Sequence, residues 1–150
     1  MKKVINLLGA ILITGCVSAQ WKYELNDNGF DKPYKVAYTP ENNSANLYLF
    51  KIDTSVVFSV SGGYYCDDAP MVDVVFVVNG VDKKFSVEGY KGGSSDVIYI
   101  SWDLEEDPLF LEAFKAASTV RIRINESYCK TEIYSFKMTS SKAAYEFMSK

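Results

Sequence analysis

Residues 71–87 read MVDVVFVV-NG-VDKKFSV, and this stretch decides the fold class. β-Branched and aromatic residues crowd both sides of Asn79-Gly80. Asn-Gly accepts positive φ at both central positions of a type I′ turn, whose twist matches that of two paired strands. The stretch therefore predicts a tight β-hairpin. Its first arm, Met71 to Val78, is apolar at nearly every position, which predicts a central strand covered on both faces. Its second arm, Val81 to Val87, carries Lys83 and Lys84 and reads as closer to an edge, where charge discourages strand addition from outside.

Working outward, turn punctuation recurs at short intervals. Strands are expected at Trp21 to Leu25, Tyr34 to Thr39, Leu47 to Ile52 and Ser55 to Ser61, with polar turns at residues 26–29 and 40–44. In 55–61, Val56, Phe58 and Val60 share one face while serines dominate the other, the pattern of a half-buried strand. Downstream come Val97 to Trp102, Val120 to Ile124 and Ile133 to Met138, the last with Tyr134, Phe136 and Met138 inward. Asp107 followed by Pro108 is a helix start, an N-cap acceptor before proline at the first helical position. Phe110, Leu111 and Phe114 give that helix one apolar face. A second short helix, capped by Ser140 or Ser141, is expected over Lys142 to Met148. About eight strands and two short helices predict a mainly β fold, an antiparallel β-sandwich or partly closed barrel.

The first twenty residues have a different character. Met1-Lys2-Lys3, an apolar run from Val4 to Ile13 and a small-residue exit form the layout of a secretory signal. The run is too short for a permanent membrane span, which needs roughly 20 apolar residues. Two exits compete. Ile13-Thr14-Gly15-Cys16 resembles a lipobox, in which Cys16 would carry the lipid and residues 1–15 would be removed. Val17-Ser18-Ala19 resembles an ordinary signal-peptidase site, which would remove residues 1–19. Residues 20–150 then form one domain, long enough to bury a sizeable core. The expected location is the periplasm or the outer membrane, reached through a lipid anchor if Cys16 is acylated.

Either exit leaves two of the three cysteines, Cys66 and Cys129. In an oxidising compartment two such thiols are expected to pair as a structural disulfide. Sixteen basic against nineteen acidic residues give a net charge of −3, and residues 1–15 contain two lysines and no acid, so their removal takes it to −5. That argues against nucleic acid as a partner.

The chain has no histidine, which removes the commonest general base, the commonest zinc ligand and every Ser-His or Cys-His pair. Nucleotide-binding loops, the GxSxG elbow and HExxH are likewise absent. A carboxylate-dependent hydrolase could use Asp68 and Asp103, but Asp103, Glu105, Glu106 and Asp107 stand where a helix N-terminus favours acids. No catalytic residue, metal or cofactor is therefore assigned. Eleven tyrosines, nine phenylalanines and two tryptophans remain to be explained. Tyr64, Tyr65 and Tyr128 flank the two cysteines, so a disulfide would gather them into one loop cluster. Tyrosine gives large contact area at low entropic cost, which makes this trio the candidate binding site.

The chain as a whole resembles exported bacterial β-sandwich proteins of the invasion-associated locus B type and of a type VI secretion-associated periplasmic type. The resemblance lies in Trp21 just after the signal, the turn Asn28-Gly29-Phe30-Asp31-Lys32, Cys66, the strand Arg121-Ile122-Arg123, and the closing run Phe136, Met138-Thr139, Ala143-Ala144. Similar proteins often carry glycine near that run, where this chain has Ser140-Ser141. The resemblance implies a non-catalytic envelope domain with an internal disulfide, and it carries over no functional residues. The leading expectation is a non-enzymatic envelope protein that binds another protein, such as a secretion accessory or a phage-encoded receptor-masking lipoprotein. A small-ligand or glycan binder using the same tyrosines is the alternative.

Overall fold

The computed structural model describes residues 21–26, 32–39, 45–52, 55–63, 65–93, 97–100, 104 and 106–150. Nine strands and two helices follow in the order β1 (Lys22–Asn26), β2 (Tyr34–Tyr38), β3 (Asn46–Ile52), β4 (Ser55–Ser61), β5 (Met71–Val78), β6 (Val81–Lys91), β7 (Val97–Ile100), α1 (Pro108–Ala116), β8 (Thr119–Asn125), β9 (Glu132–Lys137) and α2 (Ser141–Ser149). All pairings are antiparallel, in the spatial order β1-β2-β3-β4-β7-β6-β5-β8-β9. The outermost strands β1 and β9 do not pair with each other among the described residues, so the architecture is a β-sandwich and not a barrel.

The hairpin is where residues 71–87 put it. Asn79 and Gly80 both have positive φ, 51° and 77°, and Val78 pairs with Val81 across the turn. The second arm runs further than expected, to Lys91, because β6 serves two partners. Its first eight residues pair with β5, and Gly89 to Lys91 pair with β7. One strand thus joins the β1–β4 and β7 half to the β5, β8 and β9 half.

The two halves meet through aromatic rings. Phe58 of β4 and Phe76 of β5 lie 6.5 Å apart, edge to face. Helix α1 adds Phe110 and Phe114 to the same cluster, at 5.0 and 6.2 Å from Phe76. Trp21 packs edge-on against Phe114 at 6.0 Å and is buried. The side chain of Asp107 accepts from the N–H groups of Leu109 and Phe110, both at 3.0 Å, so the Asp-Pro start works as the sequence implied.

Three expectations need correction. Strand β4 is not half-buried: Val57 and Ser59 are buried along with Val56, Phe58 and Val60, on the face where Phe50 and Tyr48 of β3 are their register partners. The first hairpin arm is central, between β6 and β8, yet Met71 is 47% exposed and Val75 and Val77 are only half-buried. Its outer face carries charged cross-strand neighbours instead of a second layer. Helix α2 starts after Ser140 in the left-handed conformation at φ 66°, and that serine makes no side-chain cap. Ser141 is buried, and its hydroxyl donates to the Phe114 carbonyl at 2.8 Å, fastening α2 to the end of α1.

Candidate functional site

The loop between β4 and β5 and the turn between β8 and β9 form one corner. Cys66 and Cys129 are brought to disulfide distance there, with Cα atoms 5.9 Å apart. Side chains reinforce the link in both directions. The Glu126 carboxylate accepts from the backbone N–H of Cys66 and of Asp67, and the Asp67 carboxylate accepts from the N–H of Ser127. Lys91 adds an ion pair with Asp68 at 3.0 Å and reaches the Cys66 carbonyl at 3.5 Å. Cys66, Glu126 and Cys129 are also the one trio of ligand-type side chains within 4.8 Å among the described residues. The two sulfurs bond to each other and Glu126 is held by two amides, so the trio is built as a staple.

Of the tyrosines expected to form a binding surface at this corner, Tyr65 does not reach the surface. Tyr65 is wholly buried, and its hydroxyl donates to that of Tyr134 at 3.2 Å. Burial first, and then that hydrogen bond, push the Tyr65 phenol far above its ordinary range. Gly63 is required beside this pair, because a Cβ there would stand 2.5 Å from the Tyr134 hydroxyl. Tyr128 is 89% exposed at the tip of its turn, and Tyr64 lies outside the described residues. Tyr65 is therefore a core residue, placed there by a partner 69 positions away that local sequence could not reveal.

The acids considered for hydrolysis are also accounted for where described. Asp68 is exposed on its ion pair, Asp67 holds an amide, Asp107 caps α1, and Glu106 is exposed in the turn before it. Cys16, the whole signal segment, Asp103 and Glu105 lie outside the described residues. No helix among the described residues is long and apolar enough to cross a membrane.

Two surfaces not assigned from sequence carry more chemistry. On the outer face of the β1–β4 half, Tyr38 and Tyr48 are register partners whose rings stack at 5.8 Å and 26°. Phe50 continues the stack from Tyr48 at 5.6 Å and 8°. This aromatic ladder covers Val36, Val57 and Ser59, all buried although they point away from the main core. Glu24 accepts from the Tyr38 hydroxyl at 2.6 Å, and Lys22 stands 5.8 Å from the centre of the same ring. The Glu24 hydrogen bond and the nearby negative charge raise the Tyr38 phenol above its ordinary value. Tyr34 and Tyr90, on the same face, are 47% and 41% exposed. The sequence signal was present in NLYLFKI, residues 46–52, where leucines alternate with aromatics. A strand apolar on both faces needs a cover on both.

The outer face of the other half is charged. Asp73 of β5 accepts from Arg123 at 2.9 Å, Asn125 at 2.9 Å and Ser86 at 2.8 Å, and these bonds, led by that from Arg123, lower its carboxyl below the usual range. Arg121 pairs with Asp82 at 2.6 Å. Between them lies a shallow groove of about 470 Å3 floored by Val75 and Ile133. Its arginines already hold carboxylates of this chain, so the groove reads as a self-satisfied network and not as an open anion site.

No family model, curated protein or solved structure matches the chain.

Proposed function

We propose that this chain is a non-catalytic, exported envelope protein that binds another protein through the aromatic outer face of its β1–β4 half. The observation that carries the reading is the ladder Tyr38–Tyr48–Phe50, extended by the exposed Tyr34 and Tyr90. Aromatic side chains, tyrosine above all, are enriched where protein surfaces meet, because they combine apolar area with a polar tip. Export is supported by the signal-like residues 1–20 and by a cysteine pair at disulfide distance, which suits an oxidising compartment. Acylation at Cys16 would hold the domain at a membrane surface, and cleavage after Ala19 would free it in the periplasm.

A photocrosslinking residue placed at position 48 or 38 in intact cells tests the reading. One discrete protein adduct is expected from both positions, and none from position 137 on the other half. The absence of any adduct at 38, 48 and 90 would remove the protein-binding reading. Glycan-array binding that disappears in Tyr48→Ala would replace it with sugar recognition. The intact mass of the mature protein, from membrane and soluble fractions, tests export and shows which exit is used.

A further inference from the structure

The hairpin leaves hydrogen-bonding capacity that the fold itself does not use. With Val78 and Val81 closing the turn, Val81, Lys83, Phe85 and Val87 exchange ladder bonds with β5, and the alternate residues turn their N–H and C=O groups the other way. The same phase is visible further along β6. There the N–H of Gly89 donates to Pro70 and that of Lys91 to Asp68, while Tyr90 is left for Tyr99 of β7. Among the described residues, strand β7 meets β6 only at residues 89–91. At Asp82 and Lys84, no strand among the described residues takes up the outward-facing groups.

A groove of about 440 Å3 lies beside that edge, between β6 and α1. Its walls are Val78 and Phe85 on the sheet and Leu109, Glu112, Ala113 and Ala116 on the helix. The helix residues stand at i, i+3, i+4 and i+7, one stripe of α1, and Leu109 at its end is 71% exposed. Lys83, Lys84 and Glu112 border the groove, and none of the three forms an ion pair among the described residues.

The geometry points to strand addition at this edge by an extended acidic segment of a partner protein. A residue opposite Lys84 would exchange both backbone bonds with it and lay its side chain beside the Lys84 ammonium. Its two neighbours, opposite Lys83 and Phe85, would project into the groove. The segment therefore reads apolar–acidic–apolar. A second copy is the wrong occupant, because two β6 edges laid antiparallel about Lys84 would set two lysine ammonium groups side by side. The Lys84 charge that repels a like edge selects an acidic one. This surface is separate from the aromatic ladder, so either reading can fail alone.

The test uses the oxidised protein and a fluorescent nine-residue peptide alternating valine and glutamate. Saturable binding is expected, with the amide resonances of Asp82, Lys84 and Leu109 moving on titration. N-methylation of the central glutamate should weaken binding at least tenfold, and so should Ala116→Trp, which fills the groove from an exposed position. Lys84→Glu should weaken the glutamate peptide at least fivefold and tighten a valine–lysine peptide, an exchange of preference that misfolding cannot produce. Lys142→Glu, on the far helix, should change neither. Equal binding of the N-methylated peptide, shifts confined to other residues, no binding of the glutamate peptide, or concentration-dependent dimerisation through this edge would each overturn the proposal.

Discussion

Replacing Cys66 and Cys129 together by serine is the sharpest test of how the corner is held. The bridge closes a loop between residues 63 apart. In the chain-entropy description, a loop of that size removes about 14 cal/mol/K from the unfolded chain, or about 4 kcal/mol at room temperature. The native corner has its own fasteners, since Glu126 takes two amides, Asp67 takes a third, and Lys91 pairs with Asp68. The variant should therefore still fold, with its native contacts kept and its loss felt through the unfolded state. For a domain of this size, with a urea dependence of about 2 kcal/mol per molar, the unfolding midpoint should drop by about 2 M. The slope itself should rise, because the unlinked chain exposes more surface when unfolded. Urea titrations of both forms, followed by far-UV dichroism, measure both quantities. A midpoint shift under about 0.5 M with an unchanged slope would refute the argument and assign the corner's strength to its carboxylate–amide bonds.

Further expectations concern the core and the titrating groups. Phe76→Ala removes the ring that touches Phe58, Phe85, Phe110 and Phe114 and should cost about 4 kcal/mol in chemical denaturation. Gly63→Ala drives a methyl into the Tyr134 hydroxyl and should cost about 2 kcal/mol. Combining it with Tyr134→Phe should recover part of that loss, which a double-mutant cycle reads directly. Asp73 has its carboxyl lowered, so its contribution is complete above about pH 4 and disappears as pH falls through the lowered folded value. Urea midpoints measured from pH 5 to pH 2 should therefore fall less steeply in Asp73→Asn than in the parent.

What the sequence disclosed depended on how local each cause was. The hairpin, the Asp107-Pro108 helix start and the alternation in residues 120–124 and 133–138 are set by neighbours within a few positions. All of them are found in the fold. Tyr65 was misread because it follows Gly62-Gly63 in a segment with no period, and its burial is decided by Tyr134 on a distant strand. Ser59 looked solvent-facing for the same reason, since its cover comes from β3 across the sheet. The continuation of β6 through Gly89 was hidden because glycine in a strand usually signals an interruption. Here Gly89 is the residue at which the strand changes partner. The aromatic ladder was legible in principle from two apolar faces in residues 46–52, but which aromatics stack depends on the β2–β3 register.

That exchange of partners has a mechanical consequence. A sandwich whose sheets touch only through side chains can slide or hinge along its core. Here a single backbone is woven into both halves, so relative motion would have to break the bonds of Gly89 and Lys91 to the loop before β5 or the pairing of Tyr90 with Tyr99. The aromatic face and the charged face are thus held at a fixed angle, like two faces of one bent plate. A partner bound to either face would find the other already aimed.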